Sequence, residues 1–289
     1  MLSDQLLNGL LLGATYSLVA LGFTLIVGVL DLLNLALGET FMVGSYVALL
    51  LMTNAHLPFV LALIAAMVVA SLVSMAIYFV SFRVVSKAYF TAPILSTLGV
   101  GIILSSGVAK LFGSTSRQFP SVAAFSVRIG SLRVFGFQIL IFAVALTLAA
   151  ALFWLVNHTK LGLAIRAVAE NPLTSGLLGI PVERVILLTF GMAGLLAGAS
   201  GVLTGLAFHT VSPFFGFGIN LKGLTIIVLG GLGNVTGAIV AGLAVGLIET
   251  TSVVYLSATS RDLVIFILLL VVLLLRPQGL FGTRTRERA

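Results

Sequence analysis

Cysteine is absent from this 289-residue chain, which excludes disulfides, thiolate metal sites and cysteine nucleophiles and leaves the redox compartment open. Charge is nearly as scarce: 8% of residues are Asp, Glu, Lys or Arg, against 60% hydrophobic. With a mean hydropathy of +1.26, these numbers exclude an aqueous globular core and describe a polytopic membrane protein. Enzyme signatures are missing too. There is no H-E-x-x-H, no G-x-S-x-G and no group of titratable residues at ligand spacing. No G-x-x-x-x-G-K-[ST] loop exists either, since Lys222 follows leucine and precedes glycine; the chain has no P-loop with which to bind ATP. Met1 to Gln5 lacks a basic n-region, and the apolar run after it is too long for a signal peptide, so it is expected to remain as the first span.

What is present is apolar runs of membrane length. They cover Gln5 to Leu30, Phe41 to Met52, Leu57 to Phe82, Thr91 to Ala109, Phe137 to Val156, Val185 to Phe208, Leu221 to Leu232, Val235 to Leu256 and Leu263 to Leu275. A helical crossing needs about 20 apolar residues. The expected fold is therefore all-α: one transmembrane helical bundle over residues 1–289, with eight to ten spans. Leu221 to Leu232 is short and ends in Gly230, Gly231 and Gly233, which reads as a broken or re-entrant piece.

The 15 Lys and Arg exceed the 8 Asp and Glu, but the basic residues sit at span ends, the pattern of a cytoplasmic positive bias and not of nucleic-acid binding. Arg83, Lys87, Lys160, Arg166, Arg276, Arg284, Arg286 and Arg288 then fall on the cytoplasmic side, and counting back puts the N-terminus outside. Lys110, Arg117, Arg128 and Arg133 conflict with this rule, because parity puts their loop outside. Within it, Phe125 to Phe135, with Gly130 and Ser131 in the middle, reads as a small hairpin over the outer mouth.

Gly194, Gly198, Gly201 and Gly205 share one face of a helix, and Gly242 and Gly246 repeat the spacing. In a bilayer such bare faces let helices approach closely, either inside the subunit or at a subunit or pore contact. Two acidic residues lie in apolar surroundings, where a carboxylate costs on the order of 3 kcal/mol on insertion scales. Glu39 reads as a helix cap, an interfacial residue or a path residue, and Glu249 as an interhelical hydrogen-bonding group or a pore-lining one. Asp31 and Asn34 read as residues of a solvated turn, and His56 and His209 as lone histidines beside loops.

The long polar island from Asn157 to Arg184 interrupts all this. Leu161 to Ala169 is an amphipathic helix with Leu161, Ile165 and Val168 inward and Arg166 and Glu170 toward water. Asn171-Pro172 then reads as an N-cap followed by proline at the first helical position. The short helix it opens carries Leu173, Leu177 and Leu178 and stops at Gly179. A mere connector could be a few residues long; a compact helix-turn-helix with an apolar knob implies a partner, or else a helix lying on lipid.

Several ordered motifs are recognisable together. They are Arg166-Ala-Val-Ala-Glu-Asn-Pro, Leu-Leu-Gly-Ile at Leu177 to Ile180, and Thr189-Phe-Gly-Met-Ala-Gly-Leu-Leu-Ala-Gly. With them go the stretch from Gly22 to Glu39, Leu229-Gly-Gly-Leu-Gly-Asn-Val-Thr-Gly-Ala, and Arg276-Pro-Gln-Gly-Leu-Phe-Gly. Over nearly its whole length the chain resembles the permease subunits of bacterial ABC importers for branched-chain amino acids, and the shorter, H-type paralogue more than the M-type. It departs at Leu37, where that family often has histidine before the glycine-glutamate pair.

The resemblance implies a transport subunit and not an enzyme, placed in the bacterial inner membrane, with no cofactor of its own. ATP and magnesium would bind two separate ATPase subunits. A second homologous permease and an extracytoplasmic binding protein would complete the assembly, and nucleic acid would have no part in it. Residues 157–184 would be an EAA-like coupling loop, with Arg166, Glu170, Asn171, Pro172, Leu173, Leu177, Leu178 and Gly179 as the ATPase contact. Asn34, Glu39, Asn234 and Glu249 would stand near a mostly apolar path. Urea or short amides are the alternative cargo within this reading, and a secondary transporter of small solutes is the alternative outside it.

Overall fold

The computed structural model describes residues 2–85, 91–122, 125–129, 132–255, 261–276 and 278–282. Lys87, Arg284, Arg286, Arg288, Gly130 and Ser131 lie outside the described residues. Among those described, eleven α-helices follow one another: α1 (Leu2–Leu30), α2 (Leu37–Thr53), α3 (Phe59–Ile77), α4 (Thr91–Phe112), α5 (Gly136–His158), α6 (Lys160–Glu170), α7 (Pro172–Leu177), α8 (Val182–Phe208), α9 (Phe215–Gly230), α10 (Val235–Tyr255) and α11 (Arg261–Leu275). A π-helical turn, Tyr78–Arg83, prolongs α3. Six helices are long and apolar enough to cross a bilayer, and three shorter apolar helices accompany them. Helices dominate because a backbone in lipid must satisfy its own hydrogen bonds.

Among the described residues, strands are confined to one end of the bundle. β2 (Ser126–Ile129) and β3 (Leu132–Phe135) form an antiparallel pair, as the Phe125 to Phe135 pattern implies, and β1 (Arg117–Gln118) pairs with β4 (Thr210–Val211). Gln138 at the start of α5 donates to Asn8 Oδ1 near the start of α1 at 3.0 Å, so α1 begins at this hairpin end. It finishes at the opposite end, where Val29 packs with Ile165, Val168 and Val185 of α6 and α8. Arg83 bridges Glu183 there at 2.7 Å. Leu280 N and Phe281 N donate to the carbonyls of Leu229 and Gly230, which brings Arg276 to the same end. Lys110 closes the last turn of α4 and is not a loop residue. The basic residues Arg83, Lys160, Arg166 and Arg276 thus share the island end, whereas Lys110 and Arg117 share the hairpin end.

Two features depart from the expectations drawn from sequence. Leu221 to Leu232 is not a broken piece: α9 is one continuous helix that starts earlier, at Phe215. Its first turns read poorly as helix because they hold Gly216 and Gly218. The actual break lies between α1 and α2. Asp31, with a positive φ of 53°, ends α1, and the chain turns back into the bundle without helical structure. α2 begins beside Gly22, since Leu37 Cδ2 is 3.2 Å from where a Gly22 Cβ would stand, more than two turns before α1 ends. Asn34 is fully buried and is no part of a solvated turn.

Bare backbone sets the packing. Gly9 and Gly13 of α1 interlock with Gly242 and Gly246 of α10; a Cβ on Gly13 would stand 2.7 Å from Leu243 Cα. Gly194 and Gly198 face α3, and Gly198 also meets Gly44 of α2, whose added Cβ would lie 2.5 Å from Gly198 Cα. Gly201 abuts Phe41 of α2, and Gly205 abuts Phe119 and Val211. The glycine stripe of α8 therefore faces elements of its own subunit.

Replacing Gly198 with leucine is expected to destabilise the subunit by about 1–3 kcal/mol or more, because a Cβ there already falls 2.5 Å from Ala70 Cβ. Thermal unfolding in detergent checks this, with Gly107→Leu as the control, since an added Cβ there meets nothing within 4 Å.

Candidate functional site: an exposed knob and a buried polar junction

At the island end, Thr159 opens α6 by accepting from Gly162 N at 3.1 Å. Asn171 opens α7 in the same way, its Oδ1 accepting from Thr174 N at 3.1 Å, with Pro172 in the first turn. Gly179, at φ +83°, closes α7. Ile180 N donates to Ser175 O and Gly179 N to Gly176 O, both at 3.0 Å, the paired bonds of a Schellman stop. Ile165 and Val168 hold this unit against Val29 and Val185, while Ser175 is buried at its turn. Leu173, Leu177 and Leu178 are left 82%, 88% and 77% exposed. Arg166 and Glu170 are also exposed, and Arg166 donates to Asn157 Oδ1 at 3.4 Å. Local hydrogen bonds thus fix an elbow whose apolar side chains are left largely uncovered by the described residues.

Inside the bundle, the break between α1 and α2 is held by side chains of α4 and α9 and by its own Asn34. Leu35 N donates to Thr97 Oγ1 of α4 at 3.1 Å, and Leu35 O accepts from Asn220 Nδ2 of α9 at 2.5 Å. Asn220 Oδ1 in turn accepts from Gly38 N at 2.6 Å, and Asn34 Oδ1 from Ala36 N at 3.1 Å. Non-helical backbone at this depth survives because protein groups take up hydrogen bonds that lipid cannot supply. Glu39 follows one residue later, 6% exposed, lodged against Gly216 of α9 and Gly101 of α4. Its Oε2 and the Asn34 Nδ2 are enclosed and have no hydrogen-bond partner among the described residues.

A second polar group lies between α1, α9 and α10. Lys222 Nζ is 2.9 Å from Glu249 Oε1 and donates to Tyr16 OH at 3.2 Å, while Tyr16 OH donates to Glu249 Oε1 at 3.1 Å. Glu249 and Thr250 also floor a cleft of about 490 Å3 that opens at the hairpin end, with Asn8, Gln138 and His209 among its polar lining.

Of the four residues expected near a path, the structure brings Asn34 and Glu39 together and separates the others. Glu249 is occupied by Lys222 and Tyr16. Asn234 sits at the island end, its Oδ1 capping α10 through Gly237 N and its Nδ2 donating to Phe281 O, both at 2.9 Å. Sequence reasoning missed Thr97, Asn220, Tyr16 and Lys222 as partners. Asn220 and Lys222, two polar residues in an otherwise apolar run, were the available signal.

Comparison with known proteins identifies the family. A family model described as the permease component of branched-chain amino acid transport systems matches residues 5–273. The high-affinity branched-chain amino acid transport system permease protein LivH of Escherichia coli K12 is 35% identical, covering 99% of this chain and 97% of that one. BraD of Pseudomonas aeruginosa, described in the same words, is 33% identical over the same shares. Among solved structures, PsaBC from Streptococcus pneumoniae in complex with Fab has a similar fold, with a TM-score of 0.51 at 14% identity over 94% of this chain and 91% of that chain.

Removing either partner of the Lys222–Glu249 pair strands a charge in a low-dielectric interior, at a cost of about 3–5 kcal/mol. Lys222→Met alone is therefore expected to lower the unfolding midpoint sharply in detergent, and Lys222→Met with Glu249→Met to recover most of the loss. A double variant no better than the single one would contradict a paired charge.

Proposed function

This chain belongs to the permease-component family of branched-chain amino acid transport systems, and from that premise we propose that it is one of two homologous permeases in an ATP-driven importer of branched-chain or related amino acids. The chain is a multi-pass membrane transport component and not an enzyme. In this reading the island end lies in the cytoplasm, as the positive-inside rule asks of Arg83, Lys160, Arg166 and Arg276. Six long and three shorter apolar helices then make nine crossings, with the N-terminus outside and the C-terminus inside. The hairpin end faces the binding protein that delivers the solute.

The observation that carries the reading is the elbow. Three leucines at about four-fifths exposure, at the short capped α7 next to α6, which is itself packed on α1 and α8, suit a hydrophobic groove on a separate ATPase. Leu173, Leu177 and Leu178 enter that groove; Asn171, Pro172 and Gly179 hold their geometry, and Arg166 and Glu170 flank it. Closure of an ATPase pair pushes the elbow, and its grip on the ends of α1 and α8 passes the displacement to the spans as a rigid-body tilt. Asn34 and Glu39 stand beside the route of the solute.

Leu177→Asp is expected to leave the subunit inserted while reducing ATP-dependent uptake at least tenfold in proteoliposomes that hold the full assembly. Uptake should survive collapse of the ion gradient and stop on ATP depletion. Normal uptake by the Leu177→Asp variant sinks the docking assignment, gradient dependence points to a secondary transporter, and uptake of urea or short amides alone replaces the cargo.

A further inference from the structure

The junction between α1 and α2 holds one enclosed acceptor and one enclosed donor that nothing among the described residues answers. Glu39 is 6% exposed and its Oε2 has no hydrogen-bond partner; Asn34 is fully buried and its Nδ2 has none. Buried polar groups in folded proteins are as a rule satisfied, and two unanswered groups at one junction call for an explanation. Both flank Ala36. Asn34 Oδ1 takes the Ala36 N–H, and Ala36 Cα and Glu39 Cγ stand 3.9 and 3.2 Å from where a Gly101 Cβ would be.

A purely structural role accounts poorly for Glu39. As a helix cap it would accept backbone N–H groups at the start of α2 or α9, yet Oε2 accepts none, and Gly38 N is already answered by Asn220. As an ion-pair member it would have a cation, but Lys222 is engaged with Glu249 and Tyr16. The helices that roof the carboxylate present glycine to it, Gly101 on α4 and Gly216 on α9. Next to these glycines, Ile102 and Phe217 are 65% and 62% exposed.

Resting on the amino-acid reading above, we propose that this junction is a solute subsite: Glu39 Oε2 accepts from the ammonium group of a passing amino acid, and Asn34 Nδ2 donates to its carboxylate. One acceptor and one donor left unanswered at the same junction, among the described residues, are the complement of a small zwitterion. α2 and α9 both begin here, and their N-terminal ends attract the solute carboxylate as half-helices do in other transporters. Apolar surroundings suit an aliphatic side chain.

The test uses the complete importer, with both permeases, the ATPases and the binding protein, in liposomes with labelled leucine as probe. Glu39→Gln keeps the shape and removes the charge; Asn34→Asp keeps the acceptor for Ala36 N and replaces the donor with a repelling oxygen. Each is expected to lower leucine uptake at least tenfold while ATP hydrolysis stays within twofold of wild type. Uptake within twofold of wild type for Glu39→Gln overturns the subsite. If that variant does not assemble, Glu39→Asp and Glu39→Asn are compared: uptake retained only by Asp supports the proposal, and equal uptake overturns it. A wild-type importer that carries no amino acid sinks the cargo reading itself, whereas wild-type leucine uptake with an indifferent Glu39 sinks only the subsite.

Discussion

A peptide backbone that leaves its helix inside a membrane must find hydrogen-bond partners within the protein, because lipid supplies none. Residues between α1 and α2 do this through Thr97, Asn220 and Asn34. Much of the interior follows from that need. Asn220 serves both Leu35 O and Gly38 N only if α9 begins close to α2, and that approach requires Gly38 and Gly216 to lack side chains. Glu39, fixed on the first turn of α2, is then held where α4 and α9 converge.

Around this junction stands a frame packed backbone to backbone. α1 is almost wholly enclosed, gripped by α10 through opposed glycines and by α8, whose Ala193 carbonyl faces Gly22. Such interfaces leave little room for sliding, since side chains cannot yield where none exist. The island elbow is attached to this frame at Val29 and Val185, the ends of its two most enclosed helices. α8 touches α2 through Gly198 and Gly201, and α2 carries Glu39. The elbow and the junction are thus joined through packed helices.

How far the sequence could be read differs from element to element. The elbow was legible residue by residue, because N-caps, proline at the first helical position and a stop glycine act within a few residues of themselves. The hairpin was legible for the same reason. The break after Leu30 was not: Asn34 looked like a surface residue because polarity in sequence does not say whether its partner is water or another helix. α9 looked too short because glycines that weaken a helix in isolation are tolerated where tertiary packing needs them.

Membrane class, helical architecture, the elbow and its exposed leucines came from local chemistry and hydropathy, which act over one or two turns and need no knowledge of neighbours. The pairing of Lys222 with Glu249, the union of Asn34, Thr97 and Asn220 around a broken helix, and the enclosure of Glu39 came from tertiary structure alone. Those contacts join residues tens to hundreds of positions apart. In uniformly apolar spans nothing in the sequence marks which face meets lipid and which meets protein, so only the packed bundle could decide them.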